Sequence, residues 1–313
     1  MNAQAPALNL SSDLLTGTEW NAAQVRELFH LAADVKTHPD RYKSALAGRF
    51  LAMVFEKPSL RTRVTFEVGI VSMGGSAILL DHANARLGER ESIADVARSL
   101  SRWVHGIVAR VFAQAALDTL AAHASVPVIN ALSDLYHPCQ AFADFFTLEE
   151  KFGSARGVKL AYIGDGNNVC HSLMITGARV GAHVRIATPA GYEPDPKIVE
   201  TARRDAAATQ GTIELFRAPA EAVSGARAVY TDVWASMGQE NETETRAAIF
   251  APYQVNDALM SHAAPDAVFL HCLPAHRGSE VTDGVMESPR SIVFDQAENR
   301  LHVQKAILLM LLN

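Results

Sequence analysis

Six consecutive apolar residues, Phe50-Leu-Ala-Met-Val-Phe55, run directly into Glu56-Lys-Pro-Ser-Leu-Arg-Thr-Arg63, and this junction constrains the fold more than any other stretch. The apolar run has strand length. Beyond it Val64, Phe66, Val68, Ile70 and Val71 recur at helical spacing, with Pro58 and Ser59 in the gap. The reading is strand, tight turn, helix N-terminus. Such a turn leaves the first helical N–H groups without intrahelical partners and faces the positive end of the helix dipole. Ser59 and Thr62 add hydroxyls there, and Arg61 and Arg63 add guanidinium groups. An arginine in a first helical turn opposes the dipole by roughly a few tenths of a kcal/mol unless an anion is present. Two readings stand at this point: a phosphate site, or a capping serine followed by two solvated arginines.

The same alternation continues along the chain. A first helix is expected over residues 18 to 36, capped by Thr18 or Asn21, with Val25, Leu28, Phe29 and Ala32 on its apolar face. After Gly74-Gly75 come a run at 77–80, a helix at 91–103, a strand at 106–111, a helix at 117–122 and a strand at 126–130. A long helix at 138–152 leads to further strands at 158–163, 183–188, 213–216, 228–232, 267–271 and 292–294, and then to a helix at 298–312. Short apolar runs alternating with helices imply parallel α/β sheets, in which ligands bind at the carboxyl ends of the strands. With no glycine-serine linker and no solenoid repeat, the expectation is two similar α/β lobes.

At 313 residues the chain suits two domains, and 49% hydrophobic with 20% charged residues describes ordinary globular cores. A net charge of −6 argues against a nucleic-acid or anionic-membrane partner, so local basic clusters suit a small anion. The N-terminus lacks a basic segment followed by an apolar core, and no stretch approaches the roughly 18 apolar residues of a membrane span. The three cysteines, Cys139, Cys170 and Cys272, are too few and scattered for a disulfide framework. A cytoplasmic location is expected.

Four further junctions carry chemistry. His137-Pro-Cys-Gln140 opens a helix, where a histidine is either a cap or a functional group; with Arg110 and Gln140 it offers donors for an oxygen that becomes negative during acyl transfer. Gly164-Asp-Gly-Asn-Asn168 resembles the start of a dinucleotide fingerprint, but Val169 replaces its third glycine, and the next strand ends in Thr188-Pro189 with no ribose-binding acid, so a nicotinamide cofactor is not expected. Asp232 and Ser236 are turn formers or ligands for a cationic group. His271-Cys-Leu-Pro274 ends another strand. The His and Cys pairs lack the spacing of a structural zinc site, so neither metal nor cofactor is expected.

Taken together these residues resemble the carbamoyltransferases, and most closely the ornithine carbamoyltransferases. The matching elements are Phe55 to Arg63, Arg110, His137 to Gln140, Gly164 to Asn168, Asp232 with Ser236-Met-Gly238, His271 to Pro274 and Glu298-Asn-Arg300, in family order over about residues 10 to 313. Ser-Met-Gly and His-Cys-Leu-Pro favour ornithine over aspartate. The resemblance implies two parallel-sheet αβα lobes joined by two interdomain helices: a carbamoyl-phosphate domain, 1–145 completed by the C-terminal helix 298–313, and an ornithine domain, 146–297. It also implies a homotrimer. By matching position, Ser59, Leu60, Arg61, Thr62 and Arg110 hold the phosphate. Arg110, Thr62 and His137 polarise the carbonyl, while Gln140, Cys272, Leu273 and Arg300 orient the carbamoyl amide. Asn168, Asp232, Ser236 and Met237 bind ornithine, and Asp232 and Cys272 count among the catalytic groups. Leu60 stands where the family has threonine or methionine, a residue used through its backbone N–H. The loop 80–88 is less typical, and Arg86 on it is implied as a phosphate ligand for a neighbouring subunit.

Overall fold

The computed structural model describes residues 13–81, 86–235 and 240–313. The chain divides into two compact units, Met1–Cys139 with Leu301–Asn313, and Gln140–Arg300.

In the first unit α1 (Ala22–Thr37) precedes four strands, β1 (Phe50–Phe55), β2 (Ser76–Asp81), β3 (Gly106–Arg110) and β4 (Val128–Leu132), with α2 (Leu60–Ser72), α3 (Ile93–Leu100) and α4 (Gln114–His123) between them. Asn21, three residues after the alternative cap Thr18, caps α1 in a reciprocal capping box with Gln24. All strands are parallel, in the order β2-β1-β3-β4. The second strand lies on one side of β1 and the third on the other, so the winding reverses between β1 and β3. A crevice opens at such a switch point, at the carboxyl ends. Ala52, Val54, Ile107, Ala109 and Leu117 are buried in one cluster beside this sheet.

Helix α2 separates its apolar residues into two faces. Phe66, Gly69 and Ile70 are buried, whereas Val64, Val68 and Val71 are exposed with Leu60. Helical spacing alone groups these valines with Phe66 and Ile70; the structure turns them to the opposite side.

The second unit takes in α5 (Pro138–Phe152) from Gln140 onward and carries five parallel strands: β5 (Lys159–Ile163), β6 (His183–Ala187), β7 (Thr212–Phe216), β8 (Ala228–Thr231) and β9 (Val268–His271). Between and after them lie α6 (Asn168–Val180), α7 (Pro196–Thr209), α8 (Pro219–Val223), α9 (Thr243–Phe250), α10 (Asp257–Met260), α11 (Asp283–Met286) and α12 (Val293–Leu312). The order β7-β6-β5-β8-β9 places a second switch point between β5 and β8. The strand expected at 292–294 is not formed. Ser291 makes a single bridge to Phe269, and α12 begins two residues later with Asp295 in its first turn, where a carboxylate suits the dipole. No helix among the described residues is long and apolar enough to cross a membrane.

One glycine decides the turn after β5. A Cβ on Gly166 would lie 2.2 Å from the Pro194 nitrogen, 2.4 Å from the Glu193 carbonyl carbon and 2.7 Å from the Tyr192 oxygen, all backbone atoms. Its own N–H donates to that Tyr192 oxygen at 2.9 Å. Gly166→Ala is therefore expected to destabilise by about 3 kcal/mol, the upper end for overpacking, as read by urea unfolding. Gly153→Ala, with positive φ but open space around the added carbon, should cost only the left-handed penalty of about 1–2 kcal/mol.

Candidate active site

In the first unit the junction after β1 opens the N-terminus of α2. Ser59 is the N-cap of α2, in extended backbone with φ −158° and ψ 109°, yet its hydroxyl makes no capping hydrogen bond. Leu60 is the first helical residue; its side chain is 72% exposed, and its N–H has no carbonyl one turn back to receive it. Whatever this residue gives a ligand, the backbone gives it. Arg61 is half-buried and Thr62 buried, and the first turn of α2 holds no acidic residue. Arg110, buried, ends β3 beside β1. His137, buried, immediately precedes α5.

Glu56 holds these junctions in register, a role that its sequence position does not disclose. Its carboxylate receives the Leu87 N–H at 2.7 Å and the Phe112 N–H at 2.8 Å, while its own N–H donates to the Arg110 carbonyl at 2.9 Å. A buried carboxylate must be satisfied by such donors. The segments after β1, β2 and β3 are thus tied to one side chain. Phe112 then supports two cations, Lys57 Nζ at 4.3 Å and the Arg86 guanidinium at 4.4 Å from the ring centroid.

In the second unit the corresponding junctions bring an amide, a carboxylate and a thiol together. Asn167, not Asn168, caps α6; its Oδ1 accepts from the Val169 and Cys170 N–H groups at 3.0 and 3.1 Å and from the Tyr162 hydroxyl at 3.2 Å. That leaves Asn167 Nδ2 to donate to Asp232 Oδ2 at 2.8 Å. The other carboxylate oxygen, Oδ1, receives the Cys272 thiol at 3.0 Å. Asn168 is the first residue of α6 and half-buried. Ser236 and Met237 lie outside the described residues. Arg246 ties the chain on either side of them: it donates to Asp165 Oδ2 at 2.8 Å, to the Trp234 carbonyl at 2.9 Å and to Glu242 Oε2 at 2.8 Å. No local motif marks this arginine. Burial raises the Asp165 pKa, with Arg246 opposing the rise.

Burial, and then the Asp232 carboxylate, push the Cys272 thiol well above its ordinary pKa. Its thiol donates to Asp232, and these surroundings disfavour the thiolate that a nucleophile needs. Asp232, His271 and Cys272 offer atoms within 4.8 Å of one another, a spacing that a cation could bridge, although each also has a protein partner. His271 Nδ1 accepts the Leu273 N–H at 2.9 Å, and Nε2 lies 3.3 Å from the buried Glu280. Leu273 is held at φ +58°, a left-handed conformation uncommon outside glycine. Gln140 is buried, its Nε2 donating to Asp144 Oδ1 at 2.7 Å. Full burial pushes Asp144 up to about 7 against the opposing pull of its hydrogen-bond donors and Arg300. Arg300 is itself buried on α12.

One switch point gathers Arg110 and the N-terminus of α2, and the other Asn167 and Asp232, in a two-unit α/β protein. Two sequence profiles match the chain: the carbamoyl-P binding domain of the aspartate/ornithine carbamoyltransferases over residues 12–150, and their Asp/Orn binding domain over 156–311. The chain belongs to the aspartate/ornithine carbamoyltransferase family. It is 57% identical over 267 residues to the ornithine carbamoyltransferase of Thermococcus kodakarensis, covering 85% of each chain. It is 49% identical to that of Anoxybacillus flavithermus over the whole of both. The solved ornithine carbamoyltransferase of Pyrococcus furiosus superposes with a TM-score of 0.93 at 52% identity, covering 96% of each chain.

The Asp232–Cys272 contact has a chemical consequence. In Asp232→Asn the charge that disfavours thiolate is gone, so the thiol pKa falls and alkylation by iodoacetamide at pH 8 should accelerate. Peptide mass spectrometry would follow Cys272 separately from Cys139 and Cys170, which are fully buried. An unchanged rate would contradict the contact.

Proposed function

We propose that this protein transfers the carbamoyl group of carbamoyl phosphate to the δ-amine of L-ornithine, giving L-citrulline and phosphate. The observation that carries the reading is the environment of Asp232. Its partners are a neutral amide and a neutral thiol, so its charge remains available to a cationic group such as the α-ammonium of an amino acid. At the other switch point, the open N-terminus of α2 with Ser59, the Leu60 N–H, Arg61, Thr62 and Arg110 suits a phosphate.

In this reading Arg110, Thr62 and His137 draw charge onto the carbamoyl oxygen, and Gln140, Arg300 and the backbone of Cys272 and Leu273 orient its amide. The neutral δ-amine attacks the carbonyl carbon. A C–N bond forms, the bond from carbon to the bridging phosphate oxygen breaks as the tetrahedral intermediate collapses, and the amine proton leaves with the departing phosphate. Preorganised donors stabilise the oxygen that becomes negative. Asn168, Asp232, Ser236 and Met237 hold the amino-acid end of ornithine. The protein acts as a homotrimer in which Arg86 serves a neighbouring site; the exposed apolar row Leu60, Val64, Val68 and Val71 supports an interface along α2.

Incubation with carbamoyl phosphate and, separately, ornithine, putrescine, N-acetylornithine and aspartate tests the assignment: citrulline and phosphate should form in equal amounts with ornithine alone. Arg61→Ala should lower turnover by about 10²–10³, as for loss of one preorganised donor; wild-type turnover and carbamoyl-phosphate affinity in that variant would refute the phosphate role. An alkyl amine has a pKa of about 10.4, so the reactive free base grows with pH, and kcat/KM for ornithine should rise from pH 6 to pH 8. Asp232→Asn should raise KM for ornithine at least about tenfold with a smaller effect on carbamoyl phosphate, the loss expected for one charged partner.

A further inference from the structure

An amide side chain has a donor end and an acceptor end, and reversing it changes what a ligand meets. Within the second unit a chain of buried hydrogen bonds sets the direction of the Gln140 amide, starting from the backbone. The His271 N–H, at the end of β9, donates to Gln296 Oε1 at 2.9 Å. A main-chain N–H can only donate, so Gln296 must turn its oxygen to that side and its NH2 to the other. That Nε2 donates to Asp144 Oδ1 at 2.6 Å. The same oxygen receives Gln140 Nε2 at 2.7 Å. The one end of the Gln140 amide left over is Oε1, which is buried and has no protein partner. Gln140, Asp144 and Gln296 are each no more than 1% exposed, so water does not scramble the sequence of donors and acceptors.

The geometry points to Asp144 as a positioning residue that locks the Gln140 amide with its oxygen free to accept, so that the site favours a transferred group bearing an N–H over one that lacks it. This rests on the reading of Gln140 as a contact to the carbamoyl amide. Asp144 lies one helical turn from Gln140 on α5, and Gln296 reaches it from α12, so the carboxylate joins two helices while holding the amide. A buried acceptor left unpaired by a methyl group costs about 1–3 kcal/mol, or roughly 5- to 150-fold in affinity. The lock therefore selects carbamoyl phosphate against an acyl phosphate of the same shape.

The test compares carbamoyl phosphate with acetyl phosphate, which carries a methyl group in place of the amide NH2, by titration calorimetry on the intact protein. Asp144→Ala should weaken carbamoyl phosphate about tenfold and leave acetyl phosphate within about twofold of wild type. Asp144→Asn, which keeps one carbonyl oxygen to receive both amides, should restore the preference to within about threefold. A merely structural role would weaken both ligands together, and that result, or an Asp144→Asn variant no more selective than Asp144→Ala, overturns the proposal. Gln140→Ala separates it from the reading beneath it. If Gln140→Ala retains the preference, the contact of Gln140 with the carbamoyl amide is wrong and the proposal falls with it. If Gln140→Ala loses the preference and Asp144→Ala keeps it, only the role of Asp144 is wrong. Should Asp144→Ala fail to fold, Asp144→Leu, closer in volume, carries the same expectation.

Discussion

Every strand of both sheets is parallel, and the rest of the molecule depends on that. A parallel sheet sends all carboxyl ends to one edge, and each helix that follows presents unpaired N–H groups there. Where the winding reverses, between β1 and β3 and again between β5 and β8, two such ends lie side by side with no connection crossing between them. Arg110 and the turn before α2 come together for this reason in one unit, and Asn167 and Asp232 in the other.

Carboxylates convert these edges into rigid sites. Glu56 gathers N–H groups from two segments beyond its own, Asp232 is fixed between an amide and a thiol, and Asp144 ends two amide donors. An unpaired carboxylate in such surroundings is costly, so each of these contacts resists displacement. Glu56 serves as an anchor through both carboxylate oxygens, and Asp144 through Oδ1, which receives both amides. Asp232 differs in its partners, which are an amide and a thiol from two other segments.

The fold was legible in the sequence because a buried parallel strand is a short apolar run and a helix repeats its apolar residues at a period of 3.6. Pro138 to Phe152 reads as a helix with the boundaries that the structure has. Periodicity misled where one helix has two apolar faces, since spacing cannot say which face meets the core: Val64, Val68 and Val71 share the rhythm of Phe66 and Ile70 but not their burial. It misled again at 292–294, where an apolar triplet begins α12 after a single bridge to β9. At the edges, turn chemistry pointed to Ser59 and Asp232, and the family resemblance added Leu60. It marked Asn167 and Asn168 alike as turn residues, and the structure makes Asn167 the cap and the link to Asp232, because the residue preceding the first helical turn can fold its side chain onto the N–H groups of that turn.

The sequence by itself determined the alternation of strands and helices, the places where helix N-termini open, and the reactive side chains at those places. All of this follows from interactions within a few residues. Tertiary structure alone decided what the buried polar groups do. Asn167 meets Asp232 across 65 positions, Glu56 meets the Phe112 N–H across 56, Cys272 meets Asp232 across 40, and Gln296 meets Asp144 across 152. No local pattern encodes such pairs. Each exists because folding removes water from both partners at once, and a polar group so stripped must find in the protein the hydrogen bond that it gave up in solvent.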